Sequence, residues 1–300
     1  ADIEITGITH DSRLVRPGFL FAALPGANKP GTTYLPDAVR RGAAAILCER
    51  TDRVNPSGLS QVIVSDARRA LAEMSCAFFE YPSKYLQLVG ITGTNGKTTT
   101  AYLVKQIFAA AGRSPGLLGT VSYQIGERVI PAARTTPEAS ELQGYLRQML
   151  VAGCHSAVME VSSHALAQHR TWGLDFDVGI FTNLTEEHLD FHRNMETYFA
   201  AKSKLFHGLG QRDKKAVAVI NGDDPWGRRL LGASSKRVQE LTYGMEAGAL
   251  IRAEQVRVGI RGCSFLLRTP WGDAEISLPL PGRYNVSNAL AACAACGALG

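Results

Sequence analysis

Gly90-Ile91-Thr92-Gly93-Thr94-Asn95-Gly96-Lys97-Thr98-Thr99 gathers the residue types that hold a phosphate. Glycines let the backbone fold tightly enough for several N–H groups to face one anion. A helix N-terminus adds its dipole, Lys97 a point charge and Thr98 a hydroxyl for Mg2+. The usual phosphate loop has four residues between its first glycine and Gly-Lys. Here Gly90 precedes Gly96 by five intervening residues, and Gly93 by two. An apolar strand before the loop and a helix after it supply the context the motif requires. A glycine-rich turn that binds nothing would leave Gly-Lys-Thr-Thr at a helix start without a reason.

Two more segments carry polar side chains after apolar runs: Val158-Met159-Glu160-Val161-Ser162-Ser163-His164, and Ile180-Phe181-Thr182-Asn183-Leu184 leading to Glu187-His188-Leu189-Asp190. A carboxylate opposite a phosphate loop completes the oxygen shell of a nucleotide-bound Mg2+, and Glu160 is placed for that. His188 and His192 are four apart and can share a helix face. The chain has no His-Glu-x-x-His, which argues against a zinc hydrolase. Glu186 to His192 is too polar for core and reads as part of a site.

These side chains need elements to bring them together. Residues 1–84 read as a small α/β unit. Its strands are Phe19 to Leu24, Ala43 to Cys48 and Gln61 to Val64; a short helix ends at Gly42, and a longer one capped by Asp66 runs to about Phe79. Tyr81-Pro82-Ser83 marks a boundary, because the residue before a proline avoids helical dihedrals. Residues 85–300 alternate buried strand and helix, the pattern of a mostly parallel sheet. The expected strands are Leu86 to Thr92, Ala157 to Val161, Val178 to Thr182 and Ala216 to Ile220. The expected helices are Lys97 to Ala111, Glu138 to Ala152 and Asn285 to Leu299. Between Ile251 and Leu280 the period shifts to two around Trp271-Gly272-Asp273, predicting an antiparallel hairpin at the sheet edge. The expected class is α/β. In such sheets ligands bind beyond the carboxyl ends of the strands, where the phosphate loop, Glu160 and Thr182-Asn183 would meet.

Composition bounds the partners. Across 300 residues, 45% are hydrophobic and 20% charged, which excludes disorder as a description of the whole. The net charge of +5 comes from scattered Lys and Arg, suiting anionic small substrates and leaving no nucleic-acid footprint. No apolar run approaches the ~18–20 residues of a membrane span, and the start lacks the pattern of a signal peptide. Six cysteines are too sparse for a disulfide framework. Cys293 and Cys296 lie in an alanine-rich helix and read as buried small hydrophobes. A reducing cytoplasm is expected.

Gly93 to Thr99, Met159 to His164, and Thr182-Asn183-Leu184 with His188-Leu189-Asp190 together resemble the Mur ligase family. Asn285-Val286-Ser287-Asn288 looks like that family's late Asn-x-x-Asn helix. Four features point, within it, to the member that adds the third amino acid of the peptidoglycan stem. They are Asp11-Ser12-Arg13 followed by Pro17-Gly18, Thr135-Thr136-Pro137, Gln168-His169-Arg170, and Ala201-Lys202. The resemblance implies an N-terminal UDP-sugar-binding domain, a central ATP-binding domain and a further C-terminal amino-acid-binding domain expected after residue 300.

It also implies a reaction and roles. The chemistry would be ATP-dependent amide formation, joining meso-diaminopimelate or L-lysine to UDP-N-acetylmuramoyl-L-alanyl-D-glutamate through an acyl phosphate, with ATP and Mg2+ as cofactors. Gly93, Thr94, Asn95, Gly96, Lys97, Thr98, Thr99 and Asn288 would bind the nucleotide. Ser12, Asn28, Lys29, Thr135, Thr136, Ser162, Gln168 and Arg170 would hold the UDP-linked dipeptide. Thr98, Glu160, His188 and a carbamylated Lys202 would hold metal, with Lys97, Lys202 and His188 at the chemistry. A lysine that has taken up CO2 becomes an oxygen ligand, and the reaction needs the neutral amine that burial favours. A monomer without nucleic-acid or membrane partners is expected. Folylpolyglutamate-type ligation, a phosphate-loop kinase or NTPase, and a non-catalytic nucleotide-binding module are the competing readings.

Overall fold

A computed structural model describes residues 3–26, 29–49 and 58–300. The chain divides into two compact units. One comprises residues up to Pro82 together with Pro137–Arg147 and Gln168–Leu174; the other comprises Ser83–Thr136, Gln148–Ala167 and Asp175–Gly300. Gln168 and Arg170, which the sequence alone groups with the central domain, thus pack with the first unit.

The first unit is built on four parallel strands in the order β1 (Gly7–Thr9), β2 (Phe19–Ala22), β3 (Ala45–Glu49) and β4 (Ser60–Val64). Successive side chains of a strand point to opposite faces. Accordingly Leu20, Ala22, Ala45 and Leu47 enter one apolar cluster, and Phe21, Ala23, Ile46 and Cys48 another. Helix α1 (Leu35–Arg40) stops before Gly42, whose φ of +91° suits the turn. Helix α2 (Ala67–Phe78) starts where the Asp66 carboxylate accepts from the Arg69 N–H at 2.9 Å, an N-cap. Strand β1, only three residues long, has too little alternation to read from sequence.

The second unit holds eleven strands among the described residues. Strand β5 (Gln87–Thr92) leads to helix α3 (Lys97–Ala110), and then come β6 (Pro115–Leu118), β7 (Ser122–Ile125) and β8 (Arg128–Pro131). After helix α4 (Ala139–Val151), which packs with the first unit as far as Arg147, come β9 (Ser156–Glu160), α5 (Ser163–Ala167), β10 (Val178–Phe181), α6 (Leu189–His192) and α7 (Met195–Gly208). Next are β11 (Ala216–Asn221), α8 (Pro225–Arg228), β12 (Val238–Gly244), β13 (Ile251–Gly259), β14 (Gly262–Thr269), β15 (Gly272–Leu278) and α9 (Arg283–Ala298). The sheet order is β15-β14-β13-β12-β11-β10-β5-β9-β6-β7-β8, parallel from β13 through β6 and antiparallel outside. The central strands are buried on both faces, which is why they read as unbroken apolar runs. Helices α3 and α9 cover the sheet through Ala101, Val104, Leu290 and Ala294.

The expected single edge hairpin needs correction. Residues 251–278 form three strands, because a second turn at Ile260-Arg261 interrupts the period-two run. A second antiparallel set, β6-β7-β8, ends the other edge. Its four-residue strands carry little pattern, although the two residues Gly126-Glu127, with Gly126 at φ +57°, are a hairpin signal. Strand β5 is the switch point. Later strands leave it in both directions, to β9 and β6 on one side and β10 to β12 on the other, so the loops after β5, β9 and β10 diverge around one crevice.

Candidate active site

The phosphate loop occupies that crevice. Its backbone needs glycine at two places. Gly93 has φ +144°, and a Cβ there would overlap Thr182 Oγ1; Gly96 has φ +86°, and a Cβ would overlap Asn288 Oδ1. The loop is fastened to the end of β10. Thr94 N donates to Asn183 O at 2.8 Å, Asn95 N to Asn183 Oδ1 at 3.0 Å, and Thr182 Oγ1 to Asn95 O at 2.7 Å. Thr94 Oγ1 also meets the Tyr198 hydroxyl at 3.2 Å.

Two lysines converge on one carbonyl oxygen. Lys97 Nζ donates to Gly93 O at 2.8 Å and to Thr94 O at 2.7 Å, and Lys202 Nζ donates to Gly93 O at 2.7 Å. Lys202, on α7, is only 1% exposed, and its ammonium also lies 4.5 Å from the centre of the Tyr198 ring. Burial, then the charge of Lys97, holds Lys202 well below the usual lysine range. Burial likewise lowers Lys97, against the pull of Glu160 and Glu187. Burial thus works against the charged form at both, more strongly at Lys202.

Glu160, at the end of β9 and 1% exposed, sits across from the first turn of α3. Thr98 Oγ1 donates to its Oε2 at 2.9 Å; Thr120 N donates to Oε1 at 2.8 Å and Thr120 Oγ1 to Oε2 at 3.0 Å. Thr120 Oγ1 also reaches Thr135 Oγ1 at 3.1 Å. Thr136 Oγ1 donates to Glu160 O at 2.9 Å and accepts from Ser162 N at 3.0 Å. Thr98, Glu160, Thr135, Thr136 and Ser162 therefore form one hydrogen-bonded chain. Thr120 was not foreseen; its signal is a polar residue at the end of the apolar run Gly116-Leu117-Leu118, beside β9. Asn288, on α9, accepts from Thr100 Oγ1 at 3.4 Å and donates to Asn285 Oδ1 at 3.1 Å.

The histidines divide. His188 sits before α6 at φ +55°, half-exposed, with its ring centre 4.9 Å from that of His164 and 6.3 Å from that of Tyr198. His192 closes the same short helix but is buried, with Nε2 2.9 Å from Ser163 Oγ. Burial, then the neighbouring His164, pushes it down to about 4. Both rings approach His164. Among the described residues no group of three or more His, Cys, Asp and Glu side chains is arranged to hold a metal. The oxygen pair of Glu160 and Thr98 at the loop is nonetheless the donor chemistry a hard divalent cation takes.

The remaining substrate-binding candidates that the structure describes belong to the first unit. Ser12 lies in a 3-10 turn after β1, 7% exposed; Asp11 caps the turn and pairs with Arg13. The Ser12 hydroxyl and the nearby arginines hold Asp37 below the usual carboxylate range. Lys29 is exposed on the loop closed by Gly31 N to Leu24 O at 2.8 Å, and Asn28 lies outside the described residues. Arg170 Nη2 donates to Gln168 Oε1 at 2.7 Å and pairs with Glu138 at 2.9 Å. Cys293 and Cys296 are half-buried against the α9 core, less enclosed than expected; burial pushes the Cys296 thiol up to about 12.

Comparison with known proteins accords with this geometry. Residues 91–296 match the Mur ligase middle domain, and residues 4–79 match the model described as Mur ligase family, catalytic domain. The Geobacter metallireducens protein named UDP-N-acetylmuramoyl-L-alanyl-D-glutamate--2,6-diaminopimelate ligase is 46% identical over 99% of this chain and 58% of its own length. A Roseiflexus protein named UDP-N-acetylmuramyl-tripeptide synthetase is 43% identical over 96% of this chain and 59% of its own. A solved UDP-N-acetylmuramoyl-L-alanyl-D-glutamate--2,6-diaminopimelate ligase superposes with a TM-score of 0.86 at 28% identity, covering 99% of this chain and 60% of that one. The chain thus spans less than two thirds of the length of these relatives. A phosphate loop locked to the end of β10, a buried carboxylate facing it, and matches over nearly every residue lead to one conclusion: the chain belongs to the Mur ligase family.

Proposed function

We propose that this chain carries the nucleotide- and UDP-sugar-handling machinery of an ATP-dependent ligase of peptidoglycan synthesis. The ligase joins meso-diaminopimelate, or L-lysine, to UDP-N-acetylmuramoyl-L-alanyl-D-glutamate. The observation that carries this reading is the hydrogen-bonded run from Thr98 through Glu160 to Thr120 and Thr135, with Thr136 on the Glu160 carbonyl. It connects the phosphate-loop hydroxyl to the residues assigned to the carboxylate substrate, as a site that phosphorylates a carboxylate requires. Residues 1–84 take the UDP-sugar role, helped by Gln168 and Arg170, and residues 85–300 the ATP role.

In the reaction, the D-Glu γ-carboxylate attacks the γ-phosphorus of ATP and ADP departs, leaving an acyl phosphate. The amine of the diamino acid then attacks the acyl carbon, and phosphate leaves. Such transfer rests on positioning and charge neutralisation. Lys97 exchanges its bonds to Gly93 O and Thr94 O for phosphate oxygens, and the N–H groups at the start of α3 cradle the anion. Glu160, Thr98, His188 and a carbamylated Lys202 would hold Mg2+, which would neutralise phosphate charge. Lys202 Nζ, whose neutral form burial favours, would bond to CO2 and release a proton, giving a carboxylate. Asn288 supports the loop at Gly96. The enzyme works as a cytoplasmic monomer serving wall growth and division.

Calorimetry on the 300-residue chain tests this. Mg-ATP and UDP-N-acetylmuramoyl-L-alanyl-D-glutamate should both bind, and the chain alone should form no tripeptide product. ATP binding without any affinity for the UDP-linked dipeptide would favour a kinase or NTPase instead.

A further inference from the structure

Glu138 has no part in the reaction as described, yet it is a carboxylate only 6% exposed. Its Oε1 pairs with Arg170 Nη2 at 2.9 Å, and its Oε2 faces Arg68 Nη1 at 3.6 Å. Arg68 Nη2 is in turn fixed by Pro25 O at 2.9 Å. All four residues, with Gln168, belong to the first unit. Glu138 immediately precedes α4, a place where Ser, Thr, Asp or Asn usually caps the helix. Its backbone N–H is served by Glu141 Oε2 at 3.2 Å, half of a capping box, while its own side chain reaches the two guanidinium groups. Helix stability does not explain a buried glutamate at that position; the arginines do.

We infer that Glu138 is a positioning residue for the anionic UDP-linked substrate, holding the Arg170 guanidinium in its binding orientation and keeping Arg68 beside it. The inference rests on the reading above, in which Arg170 binds that substrate. Two guanidinium groups repel, and one shared carboxylate holds them together while leaving one net positive charge. Arg170 is fixed on one side by Gln168 and Glu138, so the ordering of its long side chain is met before substrate arrives. A guanidinium held this way suits a carboxylate or phosphate, to which it can donate two parallel bonds.

Titration of UDP-N-acetylmuramoyl-L-alanyl-D-glutamate into the chain, with Mg-ATP titrated in parallel, tests this. Arg170→Ala should lose more than tenfold in affinity for the UDP-linked dipeptide; unchanged affinity overturns the underlying reading and the inference with it. Glu138→Gln keeps the shape and removes the charge. It should weaken the same affinity about tenfold, leave ATP affinity within twofold, and add nothing in the Arg170→Ala background. If Arg170→Ala loses affinity but Glu138→Gln binds equally or more tightly, the inference falls and the reading stands. A Glu138→Gln loss that persists in full beside Arg170→Ala also overturns it, as the mark of a purely structural role. Glu138→Asp, shorter but charged, should fall between wild type and Glu138→Gln. Should Glu138→Gln fail to fold, Glu138→Asp decides, and no loss there overturns the inference.

Discussion

The carboxyl ends of the two parallel sheets solve similar problems with different materials. In the second unit, the loop after β5 is tied down from within. Lys97, Lys202, Thr182 and Asn183 all bond to its backbone, and Glu160 and Lys202 are each 1% exposed. In the first unit, the turn after β1 is held by the Asp11–Arg13 pair at the surface, with the Arg13 side chain 80% exposed. Buried polar groups in a low-dielectric setting are worth more and tolerate less than the same groups in water. The larger sheet therefore carries a preorganised charge site, and the smaller one a surface that can adapt.

Lys97→Ala should give the largest effect. Removing a charged donor from the loop is expected to weaken Mg-ATP binding by about a thousandfold, with the fold intact by circular dichroism. ATP affinity unchanged by calorimetry would take Lys97 out of the site and dissolve the contrast. Gly93→Ala follows, because it combines a strained φ with an overlap on Thr182 Oγ1. Denaturant unfolding should show a loss of about 3 kcal/mol.

Next comes acid sensitivity. A histidine in the unfolded chain protonates near 6.5, whereas buried His192 does so at about 4. Between those values the unfolded chain holds the extra proton, so the native state loses stability as pH falls from about 6.5 to about 4. His192→Gln should remove on the order of 2–3 kcal/mol of that slope, read from urea unfolding at several pH values. Parallel curves for the two proteins would show that His192 titrates freely. Smallest is Arg13→Ala, which should leave the melting temperature unchanged and alter only affinity for the UDP-linked dipeptide. A clear drop in melting temperature would mean the first unit's turn is as rigidly built as the phosphate loop.

What the sequence disclosed depended on how local each signal was. Asp66 announces its helix because a cap acts over three residues, and Gly93 to Thr98 announces a phosphate loop because its glycines and lysine serve one anion. Thr120 was faint, since its partner Glu160 is forty residues away and the strand before it is only four residues long. The grouping of Gln168–Leu174 with the first unit was likewise hidden. It rests on long-range contacts such as Arg69 over the Trp172 ring at 4.4 Å, and Trp172 Nε1 to Glu73 at 2.9 Å. Arg170 was recognisable as an anion binder by type and motif, but its resting partner Glu138 appears only in three dimensions.

The antiparallel strands that end the large sheet bear on how the protein behaves in crowded solution. An open strand edge offers unpaired amides and carbonyls to any neighbouring chain, and proteins blunt such edges with charge, proline or brevity. Strand β15 exposes Asp273 and Glu275 along its length, and β8 is four residues long with Pro131 as its last. Both flanks of an otherwise sticky parallel sheet are therefore closed to growth. Replacing Asp273 and Glu275 by threonine and valine would reopen one of them, and static light scattering at rising concentration would then register chains adding edge to edge.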